Sequence, residues 1–498
     1  MKEISMCKRV EKQMLGWIAI VVATLNVVWA QERSVTVQWN QKTSLSKTTP
    51  TLQVVYNPML KKGSPIHEGT FQALQAMGAD YVRFVPWFPY PQVAVAELKA
   101  PTATETFWDF SRIDPIVKDV MEAQRGHSVV MNFSTIPVWM FKTKEKVVYP
   151  SNPDEPFWAY NQGTELRDTT LKEVADYYVR LFSWYTKGGF TDELGKFHRS
   201  GLHYDFPYWE VLNEPDLEHR MTPQYYTKIY DAVVTALKKI APATKFVGIS
   251  VAHETNPEWF EYFLNPKNHQ ADVPLEGVSY HFYGRPAPDK IELDYYQYSF
   301  FDQANAFLDR VRYIENIRKR LAPQTFTQIN EIGNILTGHD HQESIPHEYW
   351  NLAGAMYAYL YLELTKIGID VAGESQLVGY PTQFPDVSMM NWTNAKPNAR
   401  YWVLKLVKDH FGPGDQLVTT RSTVPEVSAQ GFITAKAKKL LLINQRNKPV
   451  DLKIASLPQG AMLYQVDTST GDNPPSTMHL SATQVSLKPF SVSVVVWP

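Results

Sequence analysis

The chain has 498 residues, of which 44% are hydrophobic, 13% aromatic and 20% charged. At roughly 100–200 residues per domain, and up to about 250 for an α/β barrel, this length calls for two domains, and the composition excludes a disordered chain. Lys+Arg 49 against Asp+Glu 51 leaves a net charge of −2, which offers no basic face to a nucleic acid, and one cysteine excludes a disulfide framework or a cysteine-based zinc cluster.

Residues 1–30 read as a signal peptide. Lys2, Lys8, Arg9 and Lys12 form a basic start, Leu15 to Ala30 an apolar run of about 16 residues, and Val28-Trp29-Ala30 puts small residues at positions −3 and −1 of a cleavage site. The run is shorter than the roughly 20 residues that span a bilayer. The protein is therefore expected to be exported, periplasmic or secreted, without stable membrane insertion after signal cleavage, an uncleaved anchor being the competing reading.

Residues 31–49 contain one strand candidate, Ser34–Trp39, with no helix partner, so this segment is expected to pair with the C-terminal domain. Between 50 and 416, short apolar runs alternate with amphipathic stretches. Strands are predicted at Leu52–Tyr56, Tyr81–Val85, Ser128–Phe133, Tyr208–Leu212, Lys245–Ser250, Gly277–His281, Phe326–Glu331 and Val371–Val378, with helices such as Asp114–Gln124, Pro223–Ile240, Gln303–Leu321 and Glu348–Ile367 between them. Eight strand–helix units predict an α/β fold, a (β/α)8 TIM barrel with its site at the carboxyl ends of the strands. A doubly wound sheet is the competitor, but the first turn, Tyr56-Asn57-Pro58-Met59, lacks the glycines such a sheet usually places there. From 417 to 498 the helical patterns stop. Val427–Ile433, Leu440–Asn444, Val450–Ile454, Met462–Val466 and Ser491–Val496 alternate as the strands of a small β-sandwich.

Two carboxylates stand at predicted strand ends, each preceded by Asn. Asn213-Glu214-Pro215 closes the fourth strand, where Pro215 cannot continue a ladder, and Asn330-Glu331-Ile332-Gly333 closes the seventh, where glycine permits a sharp exit. They lie 117 residues apart, about 39 per strand–helix unit over three units, which places them across one barrel mouth. A charge at the end of a buried strand is costly unless it has a use. Two facing carboxylates with separated proton affinities are what glycosidic bond cleavage requires. The long segments 142–168 and 282–301, the second carrying Tyr295, Tyr296 and Tyr298, are expected to wall the site as loops. His339-Asp340-His341, with His347 nearby, spells no complete ligand set, so no metal is expected, and no nucleophile elbow or phosphate loop is present in the sequence.

With these residues in view, the chain resembles the retaining (β/α)8 glycoside hydrolases. Tyr208–Asp216 is similar to the strand-four motif of glycoside hydrolase family 39, the β-xylosidase and α-L-iduronidase family, and Phe133–Met140, Ser279–Tyr283 and the trailing sandwich agree with it. Leu212 departs from the aromatic usual before Asn-Glu-Pro. The resemblance implies that Glu214 is the acid/base and Glu331 the nucleophile, that Asn213 binds the sugar 2-hydroxyl, that Tyr283 donates to Glu331 and that His281 binds a hydroxyl. Arg83, at the end of the second strand, is expected to orient Glu331 or Asn213. Trp87, Trp139, Trp158 and Trp392 are candidate stacking surfaces, Trp392 first as a subsite floor. Arg285 and Lys290 are candidates to meet a uronic acid. The implied activity is cofactor-free hydrolysis of an oligosaccharide or polysaccharide, exo-acting on terminal xylosides, iduronides, galactosides or arabinosides. The alternatives left open are an endo-acting glycanase and a carbohydrate-binding barrel without turnover.

Overall fold

A computed structural model describes residues 32–158, 163–286, 292–336, 341–380 and 384–497. The expected signal peptide lies outside the described residues, as do Lys290, His339 and Asp340. Among the described residues no helix is long and apolar enough to cross a membrane.

Eight parallel strands, Thr49–Val55, Tyr81–Val85, Ser128–Met131, Tyr208–Glu210, Lys245–Val251, Gly277–Gly284, Phe326–Asn334 and Val371–Glu374, pair in chain order, and the eighth closes on the first. A helix follows each strand and packs outside the cylinder. Pro223–Lys238 shows how the sequence specifies these helices. Thr222 caps it through a side-chain oxygen that accepts from the Tyr225 N–H, Pro223 sits where no N–H is needed, and Tyr226, Ile229, Tyr230, Val233, Val234 and Leu237 form the buried stripe. Strand residues facing outward, such as Val54, Phe84 and Trp209, complete this apolar layer between sheet and helices.

Three expectations are corrected. The fourth strand ends at Glu210, short of Glu214, because Leu212 turns the chain into the left-handed region at φ 62°. The seventh strand continues through Gly333 to Asn334 without a sharp exit. The stretch carrying Tyr295, Tyr296 and Tyr298 belongs to a helix running from Leu293 to Leu321, since Tyr296, Phe300, Phe301, Ala304, Phe307 and Leu308 recur at helical spacing and are buried.

Residues 416–496 form a nine-stranded sheet with Ser34–Leu45, which lies antiparallel to Gln416–Ser422 and parallel to Val450–Ile454. Leu440, Leu442, Leu452, Leu463, Val485 and Val495 make its own core. Leu441, Ile443, Val466, Val492 and Val494, on the other face, merge with the core of the barrel.

Arg400, on the last barrel helix (Ala399–His410), is 1% exposed and ties down the end of the eighth strand. Its Nε donates to Glu374 at 3.0 Å, and its remaining nitrogens donate to the carbonyls of Ser375 and Val387. Removing one partner of such a pair strands the other in a dry interior. Arg400→Met is expected to cost about 3–5 kcal/mol of stability, measured by urea unfolding.

Candidate active site

The barrel interior is polar, and one side chain organises it. Arg83 projects inward from the second strand, 2% exposed, and reaches groups from strands one, four, five and seven. Its Nε donates to Glu210 and one terminal nitrogen to Gln53. That nitrogen also donates to Oε1 of Glu331 at 2.6 Å, and the other donates to Oδ1 of Asn213 at 2.5 Å and Oγ of Ser250 at 3.0 Å. Burial opposes its charge, but Glu210 and Glu331 outweigh burial and hold the guanidinium protonated. The expectation that Arg83 orients Glu331 or Asn213 understates its reach, since it does both.

Glu210, fully buried, accepts from Arg83, Asn132, Ser279 and Asn330. Despite burial, the Arg83 charge and these donors hold its carboxyl below the usual range. Each oxygen is saturated, so Glu210 anchors Arg83 and faces no ligand.

Two register breaks aim the other groups. Ladder pairs on both sides of the seventh strand slip at Asn330, a bulge that lets two successive side chains point inward, Asn330 to Glu210 and Glu331 to Arg83. A second slip falls at Ser250 on the fifth strand, at φ 52°. Glu214 itself is left-handed at φ 40°, a conformation that costs a non-glycine residue about 1–3 kcal/mol. The turn is held by the Glu214 N–H on the Ser250 carbonyl at 2.8 Å and by Asn132 on the Leu212 carbonyl at 3.0 Å.

The result is a pair of facing acids. Nδ1 of His281 lies 2.8 Å from Glu214, and its Nε2 lies 3.5 Å from Glu331 and 3.1 Å from Ser250 Oγ. One carboxylate oxygen of Glu214 and one of Glu331 lie within 4.8 Å of each other. Their surroundings differ. Glu331 accepts from Arg83 and, at 2.6 Å, from the Tyr283 hydroxyl, as expected for that tyrosine. Among the described residues Glu214 touches no permanent cation. Burial pushes its carboxyl above the usual range and Glu331 pushes the same way, against the His281 contact. Burial works against a charge on His281, but Glu331 and Glu214 outweigh it and raise its proton affinity.

Asn213, Glu214, Tyr283 and Glu331 open onto a cavity of about 510 Å³. Trp87, Trp158 and Phe384 form an aromatic wall, with Trp158 stacked on Tyr380 at 5.2 Å and Trp87 edge-on to both. Gln303, Ala306 and Arg310 of the long helix line it elsewhere. Arg285 also lines it, while Arg310 is neutralised by Glu254 at 2.5 Å.

Not every candidate arrives there. His281 is fully buried behind the carboxylates, so it holds them and has no face for a sugar hydroxyl. Trp392 is absent from the cavity lining, and its backbone is tied to Gln342. Trp139 turns its ring under the Arg167 guanidinium and donates to the Glu97 carbonyl at 2.8 Å, beside a different depression. His347 pairs with Asp472 at 3.6 Å. Two acids went unnoticed in the sequence: Glu210, whose signal was a charge inside an apolar strand, and Glu218, on the one-turn helix Pro215–Glu218, which carried none.

No family model and no curated protein matches the chain. Solved structures do. A GH51 α-L-arabinofuranosidase from Thermotoga petrophila RKU-1 is similar over 94% of this chain and 100% of its own, with a TM-score of 0.64 and 14% identity. A monomeric β-xylosidase from Caulobacter crescentus CB15 covers 94% and 99%, with a TM-score of 0.59 and 13% identity. A GH30 endoxylanase from Clostridium papyrosolvens C71 covers 93% and 99%, with a TM-score of 0.57 and 13% identity. At these identities the likeness establishes the fold: a TIM barrel with an attached β-sandwich.

Gly333 leaves room for the Tyr283 ring, because a Cβ there would meet Cε1 of that ring at 2.9 Å. Gly333→Ala is expected to push Tyr283 off Glu331 and to cost about 1–3 kcal/mol through overpacking, read from thermal unfolding and from the Tyr283–Glu331 distance in a crystal of the variant.

Proposed function

We propose that the protein is an exported retaining glycoside hydrolase that releases terminal sugars from a glycan. The observation that carries this reading is the approach of Glu214 and Glu331 to within 4.8 Å at the floor of one cavity. Carboxyl groups about 5–5.5 Å apart belong to the two-step mechanism, whereas inverting enzymes leave about 6.5–9.5 Å for a water. The unequal surroundings support the division of roles. Glu331, held by Arg83 and Tyr283, is the nucleophile that attacks the anomeric carbon. Glu214, whose burial favours the protonated form, gives its proton to the departing oxygen. In the second step Glu214 takes a proton from water, which displaces Glu331 from the sugar. Proton and carboxylate suffice, so the reaction needs no metal or organic cofactor.

The aromatic wall of Trp87 and Trp158 supports a carbohydrate substrate, since apolar sugar faces pack against rings. A cavity of about 510 Å³ suits a short saccharide better than a polymer running through, which supports exo action. The family 39 resemblance of Tyr208–Asp216, together with the arabinofuranosidase and β-xylosidase structures, makes xylosides, arabinosides, galactosides and iduronides the first sugars to test. Export rests on the basic and apolar character of residues 1–30.

An aryl glycoside panel with product anomers read by NMR tests the mechanism. Retention is expected, and inversion sinks the two-step route. Glu331→Ala is expected to lose turnover by about 10³-fold or more. Glu214→Ala is expected to keep activity on good leaving groups and to recover with azide as a glycosyl azide of retained configuration. Release of single sugars from oligomers is expected, and longer products would indicate an endo enzyme.

The pH dependence follows from Glu214. It must be protonated to act, and its proton affinity is raised, so kcat/KM should fall with rising pH at a value above the ordinary carboxylate range. Because Glu214 and His281 share a contact, that limb belongs to the pair. It should vanish in the residual activity of Glu214→Gln.

A further inference from the structure

Of the four acids gathered beneath the cavity, three have a basic partner: Arg83 meets Glu210 and Glu331, and His281 meets Glu214. Glu218 meets none. It is 2% exposed, its Oε1 accepts from Nδ2 of Asn213 at 2.9 Å and from the indole Nε1 of Trp87 at 2.7 Å, and its Oε2 is buried without a partner among the described residues. The proposed mechanism gives it no task.

Counting donors and acceptors shows what it controls. The Asn213 amide offers one oxygen and two N–H groups. Arg83 occupies the oxygen, which settles which end of the amide faces inward. Glu218 occupies one N–H. Among the described residues the second N–H has no partner, and it is the polar hydrogen left for a ligand, on a residue that lines the cavity beside Glu214. We propose that Glu218 is a positioning residue, whose single oxygen fixes the tilt of Asn213 and the edge of Trp87 together, so that the free N–H of Asn213 meets the hydroxyl next to the anomeric carbon. This rests on the glycosidase reading and adds to it a link between the reacting centre and the aromatic wall. A contact to that hydroxyl strengthens in the transition state, so its loss falls mainly on kcat.

The role calls for a hydrogen-bond acceptor and no charge. An ionised carboxylate with only two neutral donors, close to Glu214 and Glu331, would be costly. Burial and the neighbouring Glu214 hold the Glu218 carboxyl well above the usual range, in its neutral form. Glutamine is the matching isostere.

The test compares wild type, Glu218→Gln, Glu218→Asp and Glu218→Leu on an accepted aryl glycoside and on its 2-deoxy counterpart, with thermal unfolding as a check on folding. Glu218→Gln is expected within about threefold of wild type, with an unmoved alkaline limb. Glu218→Asp, too short to span both donors, and Glu218→Leu are expected to lower kcat roughly tenfold to a hundredfold on the parent sugar, and by less than about threefold on the 2-deoxy sugar, with KM little changed. Equal losses on both sugars would reduce Glu218 to a structural residue. No loss in Glu218→Leu, or a Glu218→Gln as impaired as Glu218→Leu, overturns the proposal. Failure of the glycosidase reading is distinguishable, because wild type would then hydrolyse neither glycoside, and the positioning role falls with it.

Discussion

A guanidinium buried at the centre of a closed sheet constrains everything around it. Such a charge is tolerated only if its donors are matched and its sign is balanced, and Arg83 achieves this by drawing in Glu210 and Glu331 from strands four and seven and amide oxygens from Gln53 and Asn213. The barrel interior therefore cannot be filled with branched apolar side chains. Its polar lattice fixes the spacing of the strand ends to within a hydrogen bond. Glu210 spends both oxygens on that lattice, whereas Glu331 is held by the same cation at the rim, where one side of its carboxyl meets the cavity.

The asymmetry between the two facing acids follows from that arrangement. Arg83 reaches Glu331 and stops short of Glu214, and the Tyr283 hydroxyl does the same. Glu214 is left with burial, a like-charged neighbour and an imidazole. Burial raises the proton affinity of Glu214, while Arg83 and the Tyr283 hydroxyl hold Glu331, so the direction in which one arginine points is what makes the two surroundings unequal.

The barrel was legible because buried parallel strands write themselves as apolar β-branched runs and their helices as 3.6-residue stripes. Glu214 and Glu331 were legible because each is a charge at the edge of such a run, and Arg83 because it interrupts one at its centre, not at its end as expected. Bulges were not, since the ladder slips at Asn330 and Ser250 depend on partners far away in sequence. Without the first slip, Asn330 and Glu331 would face opposite sides of the sheet and could not both enter the interior. The tryptophans show another limit. Trp139 and Trp392 follow strand ends as Trp87 and Trp158 do, and only the course of the loops decides that Arg167 covers Trp139 while Trp158 stacks on Tyr380 above the cavity. Glu218 was invisible for a similar reason: its burial depends on a left-handed Glu214 that folds the next turn back under Trp87.

The long helix Leu293–Leu321 lines the cavity with Gln303 and Arg310, and near its start Gln297 receives the Arg446 guanidinium and the Asn447 N–H from a turn of the β-sandwich. Val492 and Val494, meanwhile, share one apolar core with the barrel. The two halves are thus not interchangeable cassettes. A lineage that recombined this barrel with a foreign accessory module would lose the brace behind one wall of its own binding site, so descent should have kept both parts together and tuned them as a single heritable unit.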